Sequence, residues 1–271
     1  MDLGPVSMED LAVVALLVAI VAFFYSNLGL GGGQLYVPIM DFFFLSLAMA
    51  EIVPLSLCFA AATMLSSAYM HSRRGLVDFR LGMILATGGL LGVAGGVVFT
   101  STAPEDYVKA AFAAVLIVVA TKMMYDVYTA RQEGPMSVAR FSRRQFFAGI
   151  GVSILTGTLI GSFGIGGGVV SVPLIVYVFR IDSRKAIGTS SLMGAILTPA
   201  AFAAYVVSHS ISGGAEIHYG LALVLTPIVL VMALLGSRWG LARLKTRVVK
   251  GIFTCGVYLA AVEMIYSLLF T

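Results

Sequence analysis

The sequence predicts an all-α integral membrane protein with about ten helical segments in two inverted five-segment repeats. Three observations predict this fold. The 271 residues are 59% hydrophobic and 11% charged, and their mean hydropathy of +1.00 is far above that of a soluble domain. The apolar residues form long segments separated by short polar loops. One ten-residue element occurs twice.

The repeated element reads GLGGGQLYVP over Gly29–Pro38 and GIGGGVVSVP over Gly164–Pro173. The two copies lie 135 positions apart, and six of their ten residues are identical. Glycine allows positive φ and a close approach of backbone to a neighbour. Proline suits the first turn of a helix, where its missing N–H removes no helical hydrogen bond. Each copy therefore predicts a helix, a break and a new helix, with Pro38 and Pro173 in the first turn of the new helix.

Apolar segments follow one another along the whole chain. They cover residues 11–28, 34–47, 52–70, 81–99, 107–125, 145–163, 169–180, 187–208, 217–236 and 248–270. A full crossing needs about 20 residues, so the segments 34–47 and 169–180, which follow the glycines, are too short. The glycine turns are therefore predicted to lie below the surface, drawn from opposite faces toward a common midplane. A broken helix at that depth must be buried in protein or line a wet cavity.

The basic residues predict the orientation of the segments. Four clusters fall on one face if all ten segments cross, and the positive-inside rule makes that face cytoplasmic. The clusters are Arg73, Arg74 and Arg80; Arg131, Arg140, Arg143 and Arg144; Arg180, Arg184 and Lys185; and Arg238, Arg243, Lys245, Arg247 and Lys250. The amino terminus is then outside, and Lys109 alone departs from the pattern. Re-entrant short segments would divide the clusters between the two faces, so the charge pattern disfavours them.

Ten crossings give five segments to each half, and an odd number makes the halves enter the membrane in opposite directions. Further matches at the same spacing support the duplication: Ile52, Ser56 and Leu57 correspond to Ile187, Ser191 and Leu192. We expect a first transmembrane repeat over 1–125, a cytoplasmic linker over 126–144 and a second repeat over 145–271.

The two breaks predict an anion site. A helix N-terminus offers unpaired N–H groups and a partial positive charge, and the only basic residues inside the spans, Lys109 and Lys122, lie near segment ends. Backbone amides and hydroxyls would therefore hold the anion, and tetrahedral oxyanions such as sulfonate, sulfite or sulfate would suit them. The candidate binding residues are Asn27, Gly31, Gly32, Gly33, Gln34, Pro38 and Ser56 in the first half, and Gly166, Gly167, Gly168, Val169, Pro173, Thr189, Ser190 and Ser191 in the second.

The doubled G-x-G-G-G…P element, followed by Ala186-Ile187-Gly188-Thr189-Ser190-Ser191, resembles the TauE/SafE family of sulfite exporters, also called TSUP transporters. The resemblance covers almost the whole chain and implies transport of sulfur-containing anions such as sulfite or organosulfonates. The first half has Val53-Pro54-Leu55-Ser56 where the second has Gly188-Thr189-Ser190-Ser191. That difference favours a site dominated by the second half.

Structural interpretations stand beside these functional ones. The glycines could serve close helix packing alone, which is the favoured interpretation for Gly88, Gly92 and Gly96 at their four-residue spacing. Membrane serines and threonines usually donate to carbonyls of their own helix.

Ionisable residues inside spans are costly and point to function. Glu263, deep in the last span, is the candidate proton-coupling carboxylate, or else a carboxylate near the outer interface bonded to a neighbour. Glu51 and Asp41 flank the outer end of a short segment, where they could gate. His71, His209 and His218 lie at loop edges without metal-ligand spacing.

The predicted function is a secondary carrier or facilitator for small sulfur-containing anions in the cell membrane, coupled to a proton or Na⁺. An anion channel is the first alternative. An integral-membrane enzyme is the second, weakened because the sequence shows no nucleophile–base pair, carboxylate pair or metal-ligand spacing. Neither a cofactor nor a nucleic-acid partner is expected, and a homo-oligomer is left open.

Overall fold

The computed structural model describes residues 7–128, 142–212, 217–243 and 246–270, and it places them in ten helices. The helices are α1 (Met8–Leu28), α2 (Gly33–Phe43), α3 (Met49–Arg73), α4 (Phe79–Thr102), α5 (Glu105–Tyr128), α6 (Arg143–Phe163), α7 (Gly168–Phe179), α8 (Ser183–Ser212), α9 (Tyr219–Arg243) and α10 (Thr246–Phe270).

The all-helical fold with two short helices is confirmed. Seven of the described helices are long and apolar enough to cross a membrane, so the chain is a multi-pass membrane protein. The helices that follow the glycines, α2 and α7, have only 11 and 12 residues, or roughly 17 and 18 Å at 1.5 Å per residue. Most of the predicted linker, together with Arg131, Arg140 and Lys245, lies outside the described residues. The division into repeats and linker stays a prediction.

Glycines in the left-handed region form both breaks. Helix α1 ends at Gly29 with φ 63°, and Gly32 with φ 93° precedes α2. Gly164 at φ 64° and Gly167 at φ 79° take the same positions between α6 and α7. An L-amino acid with a side chain rarely adopts these angles. The two copies of the repeated element therefore share these two left-handed positions, and they differ at Gly31, whose φ of 79° has no positive counterpart at Gly166.

The prediction that the prolines lie in the first helical turn is wrong. Helix α2 begins at Gly33 and α7 at Gly168, so Pro38 and Pro173 lie in the second turn. There the missing proline N–H leaves the carbonyl four residues earlier without its helical donor. Those carbonyls belong to Gln34 and Val169, so each proline extends the break by removing one hydrogen bond.

The two glycine segments, Gly29–Gly33 and Gly164–Gly168, cross each other in the interior. A Cβ atom added to Gly31 would meet the Cα of Gly166, and one added to Gly33 would meet the carbonyl oxygen of Gly164. A Cβ on Gly168 would meet the carbonyl oxygen of Gly29. Residue numbers rise along one segment as they fall along the other, so the segments run antiparallel in direct backbone contact.

The helices pack in matching pairs. Helix α4 lies along α6 as α1 lies along α9, and α3 contacts α9 as α8 contacts α4. Helices α3 and α8 contact each other, and so do α5 and α10. Exchanging each helix with its counterpart five places along the chain leaves these pairings unchanged. This is the pattern expected from a two-fold relation between the halves, and the inversion of the halves in a membrane stays a prediction.

Glycine allows a close contact between α4 and α6. A Cβ on Gly92 would meet the backbone of Ile154 and Thr158, and one on Gly96 would meet Thr158 and Ser162. A Cβ on Gly88 would meet the Ser153 side chain on the same helix α6. The packing interpretation of Gly88, Gly92 and Gly96 is therefore confirmed.

Candidate functional site

The candidate anion-binding amides lie together at the crossing and are inaccessible to solvent. Every residue from Tyr25 to Pro38 and from Ile160 to Val169 is buried. Within the part of the chain that the structure describes, the amides of Gly32, Gly33, Gln34, Gly167, Gly168 and Val169 have no hydrogen-bond acceptor. Helix N-termini leave such donors unpaired unless a side chain, water or ligand accepts from them.

Gln34 adds a second set of unpaired groups to the first break. Its side chain is 0% exposed. Neither its Oε1 nor its Nε2 has a partner at hydrogen-bond distance among the described residues, although the Tyr25 hydroxyl lies near enough to act on it. The buried Oδ1 of Asn27 also has no partner there. A buried polar group without a partner costs about 1–3 kcal/mol, so these carboxamides are unfavourable unless something binds them.

The corresponding polar groups of the second half are satisfied. Ser162, at the position of Asn27, donates to the Gly96 carbonyl at 3.3 Å. Ser171 donates to the Gly167 carbonyl at 3.0 Å and is joined to Ser190 by a short hydrogen bond. Val169 replaces Gln34. At the two breaks, the buried side-chain groups without a partner among the described residues therefore lie in the first half, although the sequence favours a site dominated by the second.

The remaining predicted hydroxyls are also bonded, and two of them border the crossing. Ser56 donates to the Val53 carbonyl at 2.8 Å, and its Oγ occupies the space that a Cβ on Gly164 would need. Ser191 donates to the Ile187 carbonyl at 2.8 Å and lies against Gly29 in the same way. Thr189 accepts from the Asp78 amide at 3.0 Å. The structure thus brings Ser56 and Ser191 to the turns, where each donates to a carbonyl of its own helix.

A recess reaches the start of α7, and sequence reasoning missed one of its residues. It has a volume of about 30 Å³ and is bounded by Leu28, Leu30, Lys122, Gly168 and Val169 among others, which is room for about one water molecule. Lys122 therefore borders the same recess as the first residues of α7. The signal in the sequence is a lysine three residues before the end of the apolar segment 107–125, and that position alone does not reveal which way the side chain points.

Four charged side chains gather where α2 ends near α5 and α10. The Lys109 ammonium lies 3.4 Å from Asp41 and 3.2 Å from Glu105. Glu263 on α10 interacts electrostatically with both Asp41 and Lys109, and its Oε2 is buried without a partner in the described residues. Two carboxylates therefore lie beside Lys109, the basic residue that departs from the predicted charge pattern.

Glu51 lies elsewhere and has a structural contact. Its carboxylate accepts from the Ala48 amide at 3.0 Å, at the start of α3, and is 3.9 Å from His218 Nε2. A carboxylate in this position stabilises the N-terminus of a helix. The gating role of Glu51 stays a prediction.

The sequence places His71 at a loop edge, and the structure adds that its side chain points inward. His71 is 1% exposed in the last turn of α3. Its Nδ1 is 2.8 Å from the Ser67 carbonyl and 3.3 Å from the Ser67 hydroxyl. The sequence shows that His71 follows Ser67 by four residues, which puts both on one face of a helix. It does not show which other helix packs against that face.

Comparison with known proteins gives a consistent result. A family model described as "Sulfite exporter TauE/SafE" matches residues 14–264. The chain is also 25% identical over 170 residues to "Probable membrane transporter protein YdhB" of Bacillus subtilis (strain 168). That alignment covers 61% of this chain and 66% of the relative, just under two thirds of its length. No solved structure matches the chain significantly.

Proposed function

Because the chain belongs to the TauE/SafE sulfite exporter family, we propose that it is a secondary carrier of small sulfur-containing anions such as sulfite or organosulfonates. The anion binds where the two glycine segments cross, between two inverted halves that give access to each side of the membrane in turn. The family and the relative are described as transporters, which disfavours the enzyme alternative.

The observation that carries this proposal is the unpaired Gln34 carboxamide beside the free amides of Gly32 and Gly33. An anion that accepts hydrogen bonds from the Gln34 Nε2 and from these amides would satisfy the three donors together, whereas the Gln34 Oε1, an acceptor, needs a proton donor such as a protonated anion oxygen. Hydrogen bonds to a charged acceptor are the stronger kind. The partial positive charge of the α2 N-terminus adds to the attraction without a basic side chain. Sulfite and sulfonates fit because each offers three oxygens as acceptors.

The second break supplies charge rather than side-chain donors. Lys122 borders the recess at the start of α7, together with Gly168 and Val169. We infer that this lysine attracts the anion toward the crossing from the side of the predicted cytoplasmic linker. The halves then contribute differently to one site.

The antiparallel glycine crossing and the matched helix pairs support an inverted arrangement. The inverted arrangement is also supported by charged residues that the sequence predicts on the same side of the membrane and that lie together in the structure. Asp41, Lys109 and Glu263 are all predicted near the outer face and interact with one another. An amino terminus outside and basic loops in the cytoplasm follow from this proposal.

Sulfite counterflow tests the proposed function. Vesicles containing the purified protein and unlabelled sulfite should transiently concentrate ³⁵S-sulfite from outside, because a carrier exchanges one anion for another across a sealed barrier. Vesicles loaded with chloride or acetate provide the control. A channel would equilibrate the label without concentrating it. Absence of any sulfite-dependent flux would refute the proposal.

Glu263 is proposed to couple transport to protons. Glu263→Gln fixes a neutral side chain beside Asp41 and Lys109, so we expect the pH profile of sulfite uptake to become flatter than in the unmodified protein. The measurement is the initial rate of sulfite uptake at several pH values between 5 and 8. The resulting profile is compared with that of the unmodified protein.

Glu105→Gln is the matched control, because Glu105 contacts the same lysine from the more exposed side, with 44% of its side chain accessible. This variant should keep the shape of the profile. A Glu263→Gln protein with an unaltered profile would show that its protonation is not part of transport, and Na⁺ would then be the coupling ion to examine.

A further inference from the structure

Three buried side chains form a continuous hydrogen-bonded chain from α3 to α8. His71 Nδ1 lies 3.3 Å from the Ser67 hydroxyl, which lies 2.8 Å from the Ser191 hydroxyl. The exposed fractions of His71, Ser67 and Ser191 are 1%, 0% and 0%. Serine and histidine are both able to donate and accept, so such a chain can pass protons.

The hydrogen bonds of this chain all point the same way. Ser191 donates its only hydroxyl proton to the Ile187 carbonyl at 2.8 Å, so it accepts from Ser67. Ser67 has then used its own proton and must accept from His71. The His71 Nδ1 therefore carries hydrogen, shared between the hydroxyl and carbonyl of Ser67. Its Nε2 is left as the acceptor of an incoming proton.

The two ends of the chain lie in different surroundings. Ser191 lies against the glycine crossing, 2.7 Å from where a Cβ on Gly29 would be. His71 is in the last turn of α3, directly before the exposed residues Arg73 and Arg74 on the predicted cytoplasmic face. The chain thus joins the basic face to the candidate anion site.

The charges around His71 are few. Arg74, in the turn after α3, acts on it electrostatically. Gly188 on α8 packs against His71, and the carbonyl of Leu76, in the loop between α3 and α4, contacts the same glycine. Asp78, at the start of α4, uses its carboxylate to accept from the Leu81 amide at 3.0 Å. No other charged side chain in the described residues acts on His71.

We propose that His71, Ser67 and Ser191 are a proton path between the cytoplasmic face and an anion bound at the crossing. The inference rests on the proposed function, because the bound oxyanion is the proton acceptor. A proton binds Nε2 and the Nδ1 proton moves to the Ser67 oxygen. The Ser67 proton then moves to Ser191, and the Ser191 proton leaves the Ile187 carbonyl for an anion oxygen. One proton enters and one leaves, and both serines end neutral. His71 ends with its hydrogen on Nε2, so turning of the imidazole ring with proton exchange at the cytoplasmic face, together with rotation of the hydroxyls, restores the chain.

Ser67→Ala tests the path, because it removes the middle hydroxyl and leaves the candidate binding residues in place. Vesicles would report two quantities: sulfite counterflow at equal pH, which needs no net proton movement, and sulfite uptake driven by a pH gradient, with pyranine inside to record proton flux. We expect Ser67→Ala and His71→Gln to keep counterflow within about twofold and to lose gradient-driven uptake by about tenfold or more.

Ser66→Ala is the matched control, because Ser66 is equally buried but donates only to the Ala62 carbonyl of its own helix at 2.7 Å. It should keep both quantities. Gradient-driven uptake that persists in Ser67→Ala with normal counterflow would overturn the proton path alone. Absence of counterflow in the unmodified protein would overturn the proposed function and the path with it.

Discussion

Alanine at Gly33 or at Gly168 should abolish transport. Both residues begin a helix, α2 and α7, and neither has positive φ, so helix propensity alone would favour alanine by about 1 kcal/mol. The new Cβ, however, would overlap the carbonyl oxygen of Gly164 in one case and of Gly29 in the other. Each of these carbonyls is a main-chain group of the opposite glycine segment, which is itself held in the crossing. Neither carbonyl can therefore move aside as a flexible side chain could. Overpacking of a tight interior costs about 1–3 kcal/mol. Here it would push the two glycine segments apart.

The measurements are sulfite counterflow in vesicles and the thermal unfolding temperature in detergent. Gly95→Ala and Gly151→Ala are matched controls, since each glycine lies within a long helix and an added Cβ meets nothing within 4 Å. The controls should transport normally and unfold at an equal or higher temperature. Normal counterflow by Gly33→Ala and Gly168→Ala would show that the close crossing is not needed for transport.

Gln34→Leu should weaken sulfite binding by about 10- to 100-fold. The substitution removes a carboxamide whose Oε1 and Nε2 have no partner at hydrogen-bond distance among the described residues, and replaces it with an apolar side chain of similar size. Loss of a hydrogen bond to a charged ligand costs about 1.5–3 kcal/mol, and 1.4 kcal/mol corresponds to a tenfold change in Kd. Stability of the empty protein should stay the same or rise, because two unsatisfied buried atoms are removed. Opposite changes in binding and stability would distinguish a ligand-binding residue from a structural one.

Calorimetric titration of the purified protein with sulfite gives the affinity, and thermal unfolding without sulfite gives the stability. Thr226→Val on α9 is the control, because Thr226 Oγ1 is also buried without a partner among the described residues and valine has the same shape. It should bind sulfite normally. Equal affinities for Gln34→Leu and the unmodified protein would remove Gln34 from the site.

The helices could be predicted from the sequence because their signals are local. A long apolar segment has one stable form in a bilayer, and a triple glycine breaks it wherever it occurs. The short lengths of α2 and α7 followed from the same pattern. The positions of Pro38 and Pro173 were less well predicted, because the first helical residue depends on the φ and ψ of the preceding glycine rather than on the proline.

Contacts between distant residues could not be predicted in the same way. The repeat spacing indicated that both glycine segments would approach one another, but it did not give their antiparallel pairing of Gly31 with Gly166. The sequence also favoured hydroxyls as ligands, whereas most of them are occupied by backbone carbonyls, as at Ser56. Whether a buried polar group is satisfied depends on neighbours from other helices, which no local pattern specifies.

The crossing at Gly31 and Gly166 also constrains how the protein can move. The two short helices start from segments whose main chains touch, with no side chain between them to yield. Displacement of α2 along its axis must therefore push against the start of α7, and the reverse holds as well. For the proposed alternating access, we expect this contact to serve as a shared pivot, so that a tilt of one short helix is transmitted to the other.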